Sequence, residues 1–327
     1  FFMLRRPPIS TLRRSRRQRQ MFIRDWGEPT DGAGGGDVDL LAEVYVGRAP
    51  VDNLAEVERF VTKTVNYERN SLSNASLARF LGEYLGDYSG IHAHGGDGLD
   101  PILPHFSDYS TVWLDDRPTN GETWDASDCV AALNQSPHIV PHNGHANETY
   151  TMRLNISNLD QLTNEGLFLI NSGGCYCGAF DHGDCIAEEF VKRNDHGAFA
   201  VMANSRYGWF SPLFEWMFSG EFMERFFYEL LDQGTRNIGV ANQLGKHHMI
   251  GSVETSGDMV YRWCYFEINL LGDPHSPLQL PDPLAVTPAT GFSAQGLAGG
   301  PFLPTSQPYT VMNRSAASLP WTATRAD

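Results

Sequence analysis

The apolar run Leu167-Phe168-Leu169-Ile170 stops abruptly at Asn171-Ser172-Gly173-Gly174-Cys175. A short apolar run followed by turn-forming residues predicts a buried strand entering a tight loop. The pattern recurs. Pro137-His138-Ile139-Val140-Pro141 predicts a short strand entering Asn143-Gly144-His145-Ala146-Asn147, and 197–203 predicts another buried strand. Further strands are predicted around Val44 and Val46, at 77–84 and at 110–114. Helical patterns separate them. Asp52 or Asn53 caps a helix with apolar positions at Leu54, Val57, Phe60, Val61 and Val65. Helices are also predicted at 125–133, at 186–192 and, as one long amphipathic element, at 214–233. Strands alternating with helices indicate an α/β domain with a mainly parallel sheet. In such sheets reactive groups gather where the carboxyl ends of the strands open into loops. His145 and Cys175 both follow such ends.

Charge divides the chain. The first 24 residues hold eight Arg and no acid, whereas the remainder holds 16 Lys+Arg against 39 Asp+Glu. Residues 1–24 therefore form a basic segment, expected to be disordered, ahead of an acidic body. That body argues against a general nucleic-acid binder and suits an exported protein or one meeting cationic substrates or Ca2+. No apolar run is long enough to span a bilayer. Residues 25–37 are rich in Gly and Asp and read as an exposed loop whose carboxylates could hold Ca2+. From about Asp282 the composition turns to Pro, Gly, Ser and Thr. Residues 286–327 read as a linker with short strands, like the opening of an immunoglobulin-like β module.

A cysteine nucleophile needs thiolate character, a base within reach and donors for an oxyanion. Gly173 and Gly174 let the backbone turn tightly before Cys175. His145 can take the thiol proton near neutral pH. The backbone N–H groups of Ala146 and Cys175 are candidate oxyanion donors. Residue chemistry alone leaves two other readings open, a buried core thiol and a zinc site built from Cys175, Cys177, Cys185 and His182, although Cys-x-Cys is an awkward zinc pair. The odd number of cysteines, five, is not a disulfide framework. Cys129 and Cys264 lie among apolar residues and read as core thiols. His142, His247 and His248 read as surface or supporting histidines.

Several blocks, in order, resemble the gingipain-like peptidases of family C25, in the caspase-like clan. They are Glu43-Val44-Tyr45-Val46-Gly47-Arg48-Ala49-Pro50, Asn143-Gly144-His145-Ala146, Gly174-Cys175-Tyr176-Cys177-Gly178-Ala179-Phe180, Cys185-Ile186-Ala187-Glu188-Glu189-Phe190, Ala200-Val201-Met202-Ala203-Asn204-Ser205, Trp209-Phe210-Ser211-Pro212 and Asn269-Leu270-Leu271-Gly272-Asp273-Pro274. His145 and Cys175 stand 30 residues apart. Ala146 stands where the family has Gly, so the donor survives while a Cβ narrows the backbone's freedom.

The resemblance implies a caspase-like, Rossmann-like three-layer sandwich over 25–285, with the first part of the family's catalytic unit missing. It implies a cysteine endopeptidase acting through a Cys175/His145 dyad and a thioester, with Glu83 orienting His145. Trp209 and Ser205 would wall the pocket for the P1 side chain, and Asp97 or Asp100 would select Arg or Lys at its floor. Protein or peptide substrates, a secreted or cell-surface location and structural Ca2+ follow from the same resemblance, with no cofactor for catalysis. A sortase-like transpeptidase and an inactive adhesion protein are the alternatives on this fold.

Overall fold

The computed structural model describes residues 2–5, 40–69, 74–118, 123–181, 183–256, 259–279, 284–287, 293–296, 298, 300–301, 303–313 and 321–322. Six strands form the central sheet: β1 (Leu77–Gly82), β2 (Ser110–Asp115), β3 (Ile139–Asn143), β4 (Phe168–Ser172), β5 (Ala198–Asn204) and β6 (Ile268–Leu271). They lie in the order β6-β5-β4-β3-β1-β2. Every neighbouring pair is parallel except β5 with β6.

The sheet is buried on both faces, as parallel sheets are. Strand alternation sends Phe80, Ile139, Leu169, Ala200 and Met202 into one apolar cluster. Leu81, Val140, Phe168, Ile170 and Val201 enter the other. The helices are α1 (Leu54–Arg69), α2 (Gly95–Leu99), α3 (Ala126–Leu133), α4 (Ile186–Lys192), α5 (Ser219–Phe227), α6 (Ile238–His248), α7 (Ile250–Thr255) and α8 (Val260–Glu267). Residues of α5 to α8 fill the first cluster, and those of α3 and α4 the second. The result is a three-layer sandwich.

Some elements differ from the sequence expectation. In α1 the predicted apolar position Phe60 is buried, but Leu54 and Val61 are 72% and 48% exposed, and Lys63, Thr64 and Tyr67 share the buried face with Phe60. Polar anchoring selects that face: Lys63 donates to the carbonyls of Phe190 and His196 (3.1 and 2.5 Å). The long helix expected at 214–233 begins only at Ser219, because Phe218 has φ 61°, outside the helical region, and it closes in a π-helical turn at Tyr228–Asp232. Phe2–Arg5, inside the segment expected to be disordered, pairs antiparallel with Val44–Gly47. Near the other end, Leu284–Thr287 pairs with Thr310–Asn313, and this two-stranded pair does not establish an immunoglobulin-like module. The Arg-rich stretch after Leu12 and the Gly- and Asp-rich loop at 25–37 fall outside the described residues. No helix among the described residues is long and apolar enough to cross a membrane.

Tyr67 ties three parts of the domain together. Its ring stacks on Phe199 with centroids 3.5 Å apart. Its hydroxyl meets His138 Nε2 (3.0 Å) and accepts from the backbone N–H of Gln279 (3.1 Å). His138 Nδ1 donates to the Ala75 carbonyl (2.9 Å), so Nε2 accepts from Tyr67. Tyr67→Phe strands both partners in a buried site and is expected to cost about 1–3 kcal/mol. Urea unfolding of the two proteins checks this, and an unchanged midpoint contradicts it.

Candidate active site

The register of the parallel strands places the site. His142 is paired with Leu81 on β1 and with Ser172 on β4. Glu83, His142 and Ser172 each lie two residues beyond a residue of the second cluster: Leu81, Val140 and Ile170. With a side-chain period of two, all three point to the same side of the sheet at its carboxyl end. All three are buried, His142 with no exposed surface and Glu83 with 3%.

Burial at this depth demands partners. His142 Nε2 meets Glu83 Oε1 at 2.9 Å, and His142 Nδ1 meets Ser172 Oγ at 2.8 Å. A carboxylate only accepts, so Nε2 carries a proton, and in the neutral ring Nδ1 then accepts from the serine hydroxyl. Ser172 Oγ in turn accepts from the Gly174 backbone N–H (3.2 Å), while the second Glu83 oxygen accepts from the His145 backbone N–H (3.4 Å).

The loops beyond β3 and β4 touch. A Cβ added to Gly174 would lie 2.5 Å from the Ala146 Cβ, closer than side chains tolerate. Gly174 therefore has to be glycine for the Cys175 loop to pack against the His145 loop. A third segment crosses above. A Cβ on Gly208 would fall 1.9 Å from the Gly173 carbonyl oxygen, and the Cys175 thiol points at the Gly208 carbonyl (3.7 Å). Tyr176 completes the turn in the left-handed region (φ 56°), its N–H donating to the Arg206 carbonyl (2.6 Å).

All five cysteines lie among the described residues, and Cys175 is the one that is not buried. Cys177 packs beneath it, its thiol within reach of the Gly174 carbonyl (3.5 Å), and burial pushes it up to about 11. Cys129, Cys185 and Cys264 are buried thiols. Among the described residues no group of three or more His, Cys, Asp or Glu is arranged to hold a metal ion. His182, one member of the zinc reading, lies outside them.

The remaining candidates are placed as follows. His145 is exposed at the mouth of the site. Glu83 bonds the His145 backbone N–H and the His142 ring. Asp97 and Asp100 are both held by Arg117 (3.2 and 2.7 Å), which also binds buried Asp115 (2.5 Å). Trp209 stands edge-to-face against Tyr207, which stands likewise against Tyr176, the residue after Cys175. Ser205 donates its N–H to the Glu267 carbonyl, and its hydroxyl accepts from Asn269.

His142, Ser172, Arg117 and Glu267 carry the arrangement without having been singled out as site residues. The first two were visible in principle as polar residues continuing an apolar period-two pattern. Of the two readings of His142, surface or supporting, its burial leaves the second, because its strand is central and its face is covered.

Burial raises the Cys175 thiol above its ordinary value, and the carboxyl of Glu267 pushes in the same direction. Glu267 is itself raised to about 7, chiefly by burial. The free thiol is thus mostly protonated at neutral pH and needs a base. Alkylation of Cys175 by iodoacetamide is expected to rise with pH through a midpoint above 9.0, the ordinary thiol value. Glu267→Gln removes a negative neighbour and is expected to lower that midpoint. A wild-type midpoint below the ordinary value contradicts this assignment.

The sequence profile of peptidase family C25 matches residues 21–279. A search of curated proteins finds no match. Among solved structures, the crystal structure of the Arg specific cysteine proteinase gingipain R (RgpB) is similar, with 19% identity and a TM-score of 0.63, covering 76% of this chain and 59% of that one. The complex of Porphyromonas gingivalis RgpB pro- and mature domains gives 18% identity and a TM-score of 0.60, covering 80% and 65%. A third, titled as the structure of a protease, gives 18% and 0.58, covering 83% and 66%. The chain thus spans less than two thirds of the length of gingipain R, and these likenesses establish its fold.

Proposed function

The chain belongs to peptidase family C25, and from that premise we propose that it is a cysteine endopeptidase with Cys175 as nucleophile and His145 as base. One observation carries the reading. The single unburied thiol lies on a loop that packs directly against the loop of an exposed histidine, both at the carboxyl end of a parallel sheet.

In this mechanism His145 takes the Cys175 proton as Sγ attacks the peptide carbonyl carbon. The backbone N–H groups of Ala146 and Cys175 hold the oxyanion. His145 then gives its proton to the leaving amine, and the C–N bond breaks to leave a thioester. A water molecule, losing its proton to His145, attacks that thioester and regenerates the thiol. Glu83 contributes by anchoring the His145 loop through its backbone. A raised thiol suits this order of events, since the proton moves only as the bond forms.

Trp209 supplies an aromatic wall for a substrate side chain, its ring set edge-to-face against Tyr207. Selection of Arg or Lys by Asp97 or Asp100 requires the substrate cation to displace Arg117. Secretion or surface display, and structural calcium, belong to the same proposal.

A peptide library offered to wild type, Cys175→Ala and His145→Ala tests the reading. Cleavage is expected to fall by about 10^3-fold or more in either variant. Equal cleavage by wild type and Cys175→Ala would sink it. The residues preceding the cleaved bonds report the pocket's preference, and indifference to Arg and Lys removes Asp97 and Asp100 from that role.

A further inference from the structure

The buried polar chain beneath the two loops takes no part in the proton transfers above, yet it joins the segments that carry them. We propose that His142 and Ser172 are positioning residues, forming a strut that fixes the His145 loop relative to the Cys175 loop. The inference rests on the peptidase reading for its kinetic consequence and stands apart from it for its structural one.

The loops meet at a methyl group, Ala146 against Gly174, beyond a backbone bond from the Gly173 N–H to the His142 carbonyl (2.8 Å). The methyl contact limits approach but does not resist separation, and the backbone bond holds only the base of the Cys175 loop. The polar chain reaches farther, to the amides of Gly174 and His145. It runs from the Gly174 N–H to Ser172 Oγ, from the Ser172 hydroxyl to His142 Nδ1, from His142 Nε2–H to Glu83, and from Glu83 to the His145 N–H, at 3.2, 2.8, 2.9 and 3.4 Å. One end is the amide just before the nucleophile and the other is the amide of the base. With a neutral ring at His142 each link has one sense, because the carboxylate end takes the Nε2 proton.

A central strand with apolar neighbours at Ile139 and Val140 would be served as well by an aliphatic residue at 142. An imidazole there loses its hydration and is retained in a fully satisfied chain, which rigidifies its surroundings. Having no exposed surface, His142 cannot touch a substrate. Its action must pass through the loops it connects. Thr151 (3.4 Å from Ser172 Oγ) and Cys177 (3.6 Å) pack against the same hydroxyl and close it off from water.

The test is Ser172→Ala, which removes the link, beside Ser172→Thr, which keeps a hydroxyl. Amide hydrogen exchange is followed in peptides covering 144–146 and 173–176, with kcat and KM on a cleaved peptide normalised to titrated active sites. Ser172→Ala is expected to speed exchange about tenfold in both loops, including the His145 loop on the neighbouring strand. It should lower kcat by about 10- to 100-fold with KM within about twofold. Ser172→Thr should recover both readouts to within about threefold. Faster exchange confined to 173–176, or a threonine variant as impaired as the alanine, overturns the strut. So does a kcat loss explained by lost folded protein alone. His142→Phe, which fills the site and cuts both links, provides the second variant and must loosen the same two loops. If the wild type cleaves no peptide, the peptidase reading fails while the exchange result still decides the strut.

Discussion

A carboxylate withdrawn from water has to be met by donors, and Glu83 is met by two: the ring of His142 and the backbone of His145. Much of the site follows from that requirement. The ring must present a proton to Glu83, which leaves its other nitrogen to accept from Ser172. Ser172 is then oriented so that its lone pairs face the Gly174 amide. The arrangement exists because three parallel strands end at nearly the same height, with Leu81 opposite His142 and His142 opposite Ser172. Sheet register, set by apolar side chains on both faces, thereby becomes the ruler for polar groups at its rim.

Electrostatics around the rim is mostly internal. Arg117 gathers Asp97, Asp100 and Asp115, and Arg153 pairs with Asp116. In a chain with a net charge of −15, these two arginines sit where acids crowd the strand ends. By contrast, the stretch from Tyr207 to Phe214, which begins beside Cys175, contains no charged residue. Acidity in the whole chain therefore says little about the surface nearest the thiol.

The sheet was legible because its strands are short apolar runs ending in Gly, Asn and Pro, and strands β1 to β5 were anticipated within a few residues. The placement of His145 and Cys175 was legible for the same reason, each following such an end. Strand β6 was read only as part of a motif, since Ile268–Leu271 follows α8 with no intervening turn to mark it. Helix α1 was found but its buried face was misread. Periodicity counts apolar residues, whereas Lys63 and Tyr67 are held inward by hydrogen bonds that only the tertiary structure supplies. Arg117 was invisible as a partner of Asp97 and Asp100, because a separation of 17 to 20 residues leaves no local trace.

The meeting of Ala146 with Gly174 carries an evolutionary consequence. Between the two loops there is room for one methyl group, and it is occupied from the histidine side. A second methyl at 174 has nowhere to go, whereas removing the one at 146 would free the space. The two positions are thus tied as a pair: a lineage could move the methyl across the gap only by passing through glycine at both.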